Sequence, residues 1–418
     1  MSNGLKVVLY DDELERAAQW KAQLQAELAG LGTVIVLSKE EATKTVRDLA
    51  ERRKGVREEK KGFKDFTGSP IDGANVLIVD FDLFGFELDS QILTGEEIAQ
   101  LARAYSKAEV IVVANQYGSN RFDLTLREGF SSHADLNVGG EQVLNPGLWK
   151  APFRGYRPWS WPLLTKAVTD FRSRTQEVAK NLDRPMFEFL EFPEFKGPLP
   201  ANLSRHSLSL LQGIADVGKG GSVKGITFRN FVCDSGTFIP KKEAGALRKH
   251  DDIVARLASA YVHKWLEYAV LPSQDVLVDV PHFLERVPWM LDGNPGDYNS
   301  WNASLNFEKP QAIKNDALKY LFKKSAWLSR PALWWNQVVA DEKLTSAPGD
   351  WNPSNVPDIV FREDISNFGP RNQSRQFVAD VEGLADTRYV SDPGTVEVGP
   401  RATDPKRVEY SPSVRFAM

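Results

Sequence analysis

A single cysteine, Cys233, occurs in 418 residues. An intrachain disulfide and a cysteine zinc cage are therefore excluded. Histidine is also scarce: His133, His206, His250, His263 and His282 are scattered, with no two at the one-turn spacing of a helical metal pair. Positive charge is not in excess, because 52 Lys and Arg stand against 56 Asp and Glu for a formal net charge of −4. The chain as a whole thus lacks the basic footprint that nucleic acid requires. No apolar run approaches the roughly 18 residues that span a bilayer. The start, Met1 to Lys6, lacks the charged and apolar regions of a secretion signal. There is no Gly-x-Ser-x-Gly elbow, no repeat of fixed period and no low-complexity tract. The expectation is a cytoplasmic protein with neither a membrane nor a nucleic-acid partner. A composition of 42% hydrophobic and 26% charged residues is ordinary for a globular chain, so disorder does not dominate.

Against these absences stand acidic residues at the ends of short apolar runs. Lys6-Val7-Val8-Leu9-Tyr10 leads into Asp11-Asp12, and Val76-Leu77-Ile78-Val79 leads into Asp80, followed by Phe81 and Asp82. In a parallel α/β sheet the carboxyl ends of strands share one crevice, so these carboxylates are expected to form a small acidic pocket. Such a pocket suits a hard divalent cation and can leave one carboxylate free as a nucleophile toward phosphorus.

The pattern resembles the receiver domain of two-component response regulators. The resemblance implies a doubly wound, parallel five-stranded sheet of flavodoxin-like type. It implies Mg2+ held by Asp11, Asp12, Asp80 and the main chain of Asp82, with Asp80 as phosphoacceptor. A histidine kinase or a co-encoded effector is the implied protein partner. Two switch positions depart from the family. The run Val110 to Asn115 has Ala114 or Asn115 where a Ser or Thr is expected, and Ala134 to Val138 offers Asn137 where the family has lysine. Lys150, in Trp149-Lys150-Ala151-Pro152-Phe153, matches the family's Lys-Pro-Phe ending only with roughly a dozen residues inserted. Composites of such incomplete receivers with a second domain also occur in multi-gene phage-defence systems, and the architecture resembles these.

Elsewhere in this half, Leu14 to Leu31 and Glu40 to Ala50 read as helices around a strand, Thr33 to Leu37. The mixed charge run Glu51 to Lys61 reads as a solvated helix end or loop. Thr94 and Glu97 form a capping-box pattern opening another helix. Trp149, Trp159 and Trp161, set among prolines, read as packing on the sheet or as a docking surface for the second half, and Leu163 to Leu182 as the final helix. Residues 1–182 are then one domain, 183–200 a linker rich in proline and glycine, and 201–418 a mixed α+β output or partner-binding domain with an extended C-terminal arm.

In that second half, Asp251 to Leu271, Pro281 to Leu291, Gln311 to Leu328 and Pro331 to Leu344 read as helices. Gly225 to Val232, with Cys233 at its end, and the tail segments Asp358 to Phe361, Arg375 to Val381 and Arg388 to Val390 read as strands. Trp327, Trp334 and Trp335 read as core aromatics on consecutive helices. Gly213 to Lys219 satisfies the phosphate-loop spacing, but Gly220 replaces the magnesium-binding Ser or Thr, and a flexible turn is the better reading. The run Gln274 to Arg286 allows two readings. Asp275, Asp279, His282 and Arg286 surround one catalytic site of a receiver-regulated enzyme, or Asp279 caps a helix begun at Pro281 while the others make local pairs.

Overall fold

The computed structural model describes residues 4–58, 66–83, 94–115, 132–192, 203, 205–217, 222–305, 313–314, 318, 321–322, 326–376 and 388–391. The first apolar runs become strands β1 (Leu5–Tyr10), β2 (Gly32–Val36), β3 (Val76–Asp80), β4 (Val110–Asn115) and β5 (Leu136–Gly139). They form one sheet in the order β2-β1-β3-β4-β5, with every pair parallel. This is the flavodoxin-like order, with its reversal between β1 and β3.

The strands are apolar on both sides because both faces of the sheet are covered. Val7, Leu9, Ile78 and Val112 pack with Trp20 and Leu24 of helix α1 (Leu14–Glu27), with Leu28 at its C-cap, and with Leu164 and Val168 of a helix from Leu164 to Ala179. Val8, Tyr10, Leu77, Val79 and Val113 face the other way, toward α2 (Lys39–Arg57) and α3 (Gly95–Tyr105). The capping box expected at Thr94 is present: Glu97 N donates to Thr94 Oγ1 at 3.3 Å, and Thr94 N donates to Glu97 Oε2 at 3.0 Å. The helix from Leu164 to Ala179 is α4.

Helix α2 runs through Arg57, and Glu59 to Lys61 lie outside the described residues. The first part of the charge run is thus a helix end, one of its two expected forms, but not a wholly solvated one. The reason is that its arginines have fixed partners. Arg52 is buried, with Asp72 and the carbonyl of Tyr105 as acceptors. Arg53 pairs with Glu243, far along the chain.

Beyond α4 come α5 (Met186–Phe189), α6 (Arg205–Val217), α7 (Phe228–Cys233), α8 (Lys241–Leu247), α9 (Asp251–Trp265) and α10 (Val280–Arg286). Within the segment expected as a linker, Phe187 and Phe192 meet Trp265 ring to ring, and residues 193–200 lie outside the described residues. Gly213 to Val217 lie within α6; Gly218 to Gly221 fall outside the described residues. The segment expected as a strand over Gly225 to Val232 is instead a 3-10 turn followed by α7. Thr227 and Asn230 cap that helix, and Phe228 and Phe231, three apart, turn one face onto Trp327, Phe238 and Trp265. Helix α9 passes into a π-turn from Leu266 to Val270.

Strand β6 (Leu277–Asp279) pairs antiparallel with β7 (Ala332–Trp334). The helix expected over Pro331 to Leu344 therefore starts as a strand, and only Trp335–Val339 and Glu342–Thr345 are helical. Most of Gln311 to Leu328 lies outside the described residues. The tail strands β8 (Ile359–Arg362), β9 (Asn367–Pro370), β10 (Ser374–Gln376) and β11 (Tyr389–Ser391) form a mixed sheet in the order β10-β11-β8-β9, parallel only between β11 and β8. The chain is thus a parallel α/β domain followed by a mixed α+β region.

The two regions are joined by buried polar contacts. Tyr105 Oη donates to Glu243 Oε2 at 2.7 Å, linking α3 to α8. From α9, Arg256 donates to the carbonyls of Ser106 and Ala108, and the buried Lys264 donates to those of Ser132 and Ala134. Of the tryptophans before α4, Trp149 and Trp161 pack on the sheet face, whereas Trp159 inserts among Phe283, Trp301 and Phe361 of the C-terminal region.

Candidate functional site: an acidic pocket and a sealed network

Strands β1 and β3 are neighbours, with Tyr10 opposite Val79. Asp11 and Asp12 leave the end of one strand just where Asp80 ends the other. Oxygen atoms of these three carboxylates all lie within 4.8 Å of one another, a grouping able to hold a metal ion. Asp11 and Asp80 are each 2% exposed. The main chain packs closely against the end of β3: Gly95 N donates to Phe81 O at 2.8 Å, and a Cβ built on Gly95 would stand 2.2 Å from the Asp80 carbonyl oxygen. Glycine is required there by that close approach. Asp82 forms a short antiparallel bridge with Thr94 where the chain enters α3.

Among the described residues, the guanidinium of Arg16 reaches into this cluster. Arg16, in the first turn of α1, donates through Nη2 to Asp11 Oδ1 at 2.8 Å and to Asp80 Oδ2 at 2.7 Å, and through Nε to Asp11 Oδ2 at 3.0 Å. Asp80 Oδ1 is buried and has no hydrogen-bond partner. Burial pushes the Asp80 carboxyl up to about 7; Arg16 opposes this shift and Asp11 adds to it. Burial also works against the Arg16 charge, but the Asp11 hydrogen bond and the surrounding carboxylates outweigh it and hold the guanidinium firmly protonated. Arg16 was not among the residues singled out from the sequence. Its signal was faint: a cation in a helix's first turn, where the helix dipole disfavours positive charge.

The switch positions fall as follows. Ala114 lies directly opposite Asp80 in the β3/β4 register and is fully buried, and its carbonyl accepts from Phe81 N at 2.8 Å. Asn115 is buried and aligns with Gly139. Asn137 aligns with Val113, so strand alternation turns its side chain to the face opposite Asp80. Both its amide atoms are buried without partners. Lys150 pairs at 2.8 Å with Glu27, at the end of α1 remote from the pocket. The structure therefore brings neither Asn137 nor Lys150 to Asp80.

The C-terminal candidates divide into two places. Asp279 and His282 meet, with Nδ1 to Oδ1 at 2.6 Å, in a packed interior where Asp279 is wholly buried. Asp279 caps α10, and its Oδ2 accepts from Trp159 Nε1 at 2.8 Å, Gln274 Nε2 at 3.2 Å and Arg330 Nε at 3.2 Å. Glu363 lies 3.8 Å from His282 Nε2 and is gripped by Arg388 through two contacts of 2.6 Å. Burial alone would raise Asp279, but the charges and hydrogen bonds of His282, Arg330 and Trp159 hold it well below the usual carboxylate range. Burial likewise opposes the His282 charge, and Asp279 more than offsets this, so its pKa is raised. Asp275 and Arg286 form a separate pair at 3.7 Å, lining a surface pocket with Trp289 and Trp335. The four residues do not converge on one site, and the two that meet do so behind packed side chains.

No protein-family model matches the chain, and no curated protein is similar to it in sequence. No helix among the described residues is long and apolar enough to cross a membrane.

Proposed function

We propose that this chain is a regulatory or adaptor protein. Its N-terminal domain binds a divalent cation, Mg2+, and accepts a phosphoryl group on Asp80, and its C-terminal region engages a protein partner. The observation that carries this reading is the meeting of Asp11, Asp12 and Asp80 at adjacent strand ends, with Asp80 Oδ1 buried and unpartnered. The donor set fits a hard cation, since it consists of carboxylate oxygens alone. The ligands would be Asp11, Asp12 and Asp80, with the main chain of Asp82. A bound cation supplies charge neutralisation for an incoming phosphoryl group.

The chain's own residues do the rest. In the cation-free pocket Arg16 holds Asp80 Oδ2, and the partner-free Oδ1 is the attacking oxygen. That oxygen forms a bond to phosphorus while the bond from phosphorus to the donor's leaving oxygen breaks, and the leaving group departs with the electron pair. The product is an acyl phosphate on Asp80. Only the ionised carboxylate can attack. Burial raises the carboxyl of Asp80, and the ionised form that attacks would be favoured by a bound cation. Ala114 offers no hydroxyl to follow the new phosphoryl group.

Intact-mass spectrometry after incubation with acetyl phosphate and magnesium tests this reading. One added phosphoryl group in the wild type and none in Asp80→Asn supports it. No addition under conditions that label a known receiver overturns the phosphoacceptor role.

A further inference from the structure

We infer that Arg16 is the resident counter-charge of the acidic pocket, and that a divalent cation must displace it to bind. This rests on the reading of the pocket as a cation site. A single nitrogen, Nη2, contacts carboxylates from both strand ends, Asp11 Oδ1 at 2.8 Å and Asp80 Oδ2 at 2.7 Å. A cation held by this cluster would draw on the same two carboxylates. Two positive groups on one pair of carboxylates repel strongly in so poorly hydrated a place, so occupancy is exclusive.

The guanidinium cannot yield by losing its proton, because arginine stays charged in proteins. It can yield only by moving, and the structure provides a place to go. Arg16 Nη1 already lies 3.3 Å from Glu13 Oε2, on a side chain 61% exposed, and the guanidinium carbon lies 5.5 Å from the centre of the Trp20 ring. Rotation toward Glu13 and solvent clears the pocket while retaining one carboxylate partner. The driving force for exchange is charge: the guanidinium brings one positive charge to Asp11 and Asp80, whereas a dication brings two. Arg16 thus determines cation affinity without being a ligand.

The test is calorimetric titration with Mn2+ of the full chain as wild type, Arg16→Gln and Arg16→Lys, each checked for folding by circular dichroism. Loss of the charged contacts should tighten binding in Arg16→Gln by about tenfold or more. Arg16→Lys, which keeps the charge but not the fork on Asp11, should fall between the two. Equal or weaker binding by Arg16→Gln overturns the inference while leaving the cation site in place, because both proteins still bind. If Arg16→Gln folds poorly, Arg16→Lys decides alone: affinity no higher than wild type overturns the inference. Absence of binding in every folded variant overturns the cation reading itself, and the competition with it.

Discussion

The indole nitrogen of Trp159 donates to Asp279 Oδ2 at 2.8 Å, across 120 residues of sequence. This bond ties the tryptophan segment that follows the parallel sheet to the cap of α10, and the backbone runs beside it: Trp159 N donates to Glu363 O at 2.7 Å. Trp159→Phe keeps most of the ring's packing but removes one donor from a buried carboxylate. A loss of about 1–3 kcal/mol is expected in denaturant unfolding. Asp279→Leu should cost more, about 3–5 kcal/mol, since Arg330 and His282 then lose their buried partner. Similar small losses for both would show that the network contributes little.

His282 should make this junction pH-sensitive. Its folded pKa is raised, so its contribution is fully present below the unfolded value and is lost as pH rises through the folded one. Asp279 has the opposite sign: its contribution is present above the ordinary carboxylate range and fades only in strong acid. Their pairing is therefore strongest on the acid side of neutrality. His282→Gln should lower the melting temperature more at about pH 6 than at about pH 9. An equal loss at both would mean that the imidazole acts as a neutral hydrogen-bonding group.

The three pocket aspartates are legible in the sequence because each ends an apolar run, and a parallel sheet brings strand ends together. Arg16 is not, because its reach from α1 into the crevice depends on how that helix lies over β1 and β3. Asn137 shows the weakness of reading a strand by position alone: one residue of register decides the face, and alternation points it away from Asp80. The helix cap at Asp279 is visible locally in Asp279-Val280-Pro281-His282, whereas its partner Arg330 stands 51 residues away. The apolar residues Ile226, Phe228, Phe231 and Val232 favour strand or helix alike, and the Thr227 cap and the aromatic partners make α7 a helix.

Glu243 anchors α8 to helices α3 and α2 through Tyr105 and Arg53. Tyr105→Phe removes one of its donors and should cost about 1 kcal/mol. Glu243→Gln keeps the shape but loses the charge, and a loss of about 1–3 kcal/mol is expected. Urea unfolding of the two single variants and the double measures the coupling. Strict additivity would argue that Tyr105 and Glu243 act independently despite their 2.7 Å contact.

Gly95 sits against the end of β3, where an added Cβ would lie 2.2 Å from Asp80 O and 2.8 Å from Phe81 Cα. Backbone cannot move aside as a flexible side chain can, so Gly95→Ala must displace either the start of α3 or the end of β3. A cost of about 1–3 kcal/mol is expected from the overpacking. Because the displaced segment carries Asp80, Mn2+ affinity should fall in the same variant. An unchanged affinity in a destabilised Gly95→Ala would show that α3 absorbs the shift and the pocket does not depend on this contact.

Asp80 itself should be a liability for stability at neutral pH. Its folded pKa is raised to about 7 by burial, so the folded protein holds a proton that the unfolded chain releases in acid. The stabilising effect of that proton is fully present below the unfolded carboxylate value and is lost as pH rises through about 7. Asp80→Asn removes the ionisation and keeps the shape, while Arg16 retains both its bonds to Asp11. Without divalent cations the variant should match wild type near pH 4 and exceed it at about pH 8 by on the order of 2 kcal/mol. Saturating Mg2+ should narrow or reverse the gap at the higher pH, since only the wild type retains the full ligand set and gains the binding free energy. A variant less stable than wild type at the higher pH in chelator would mean that the Arg16 contact more than offsets the burial of Asp80.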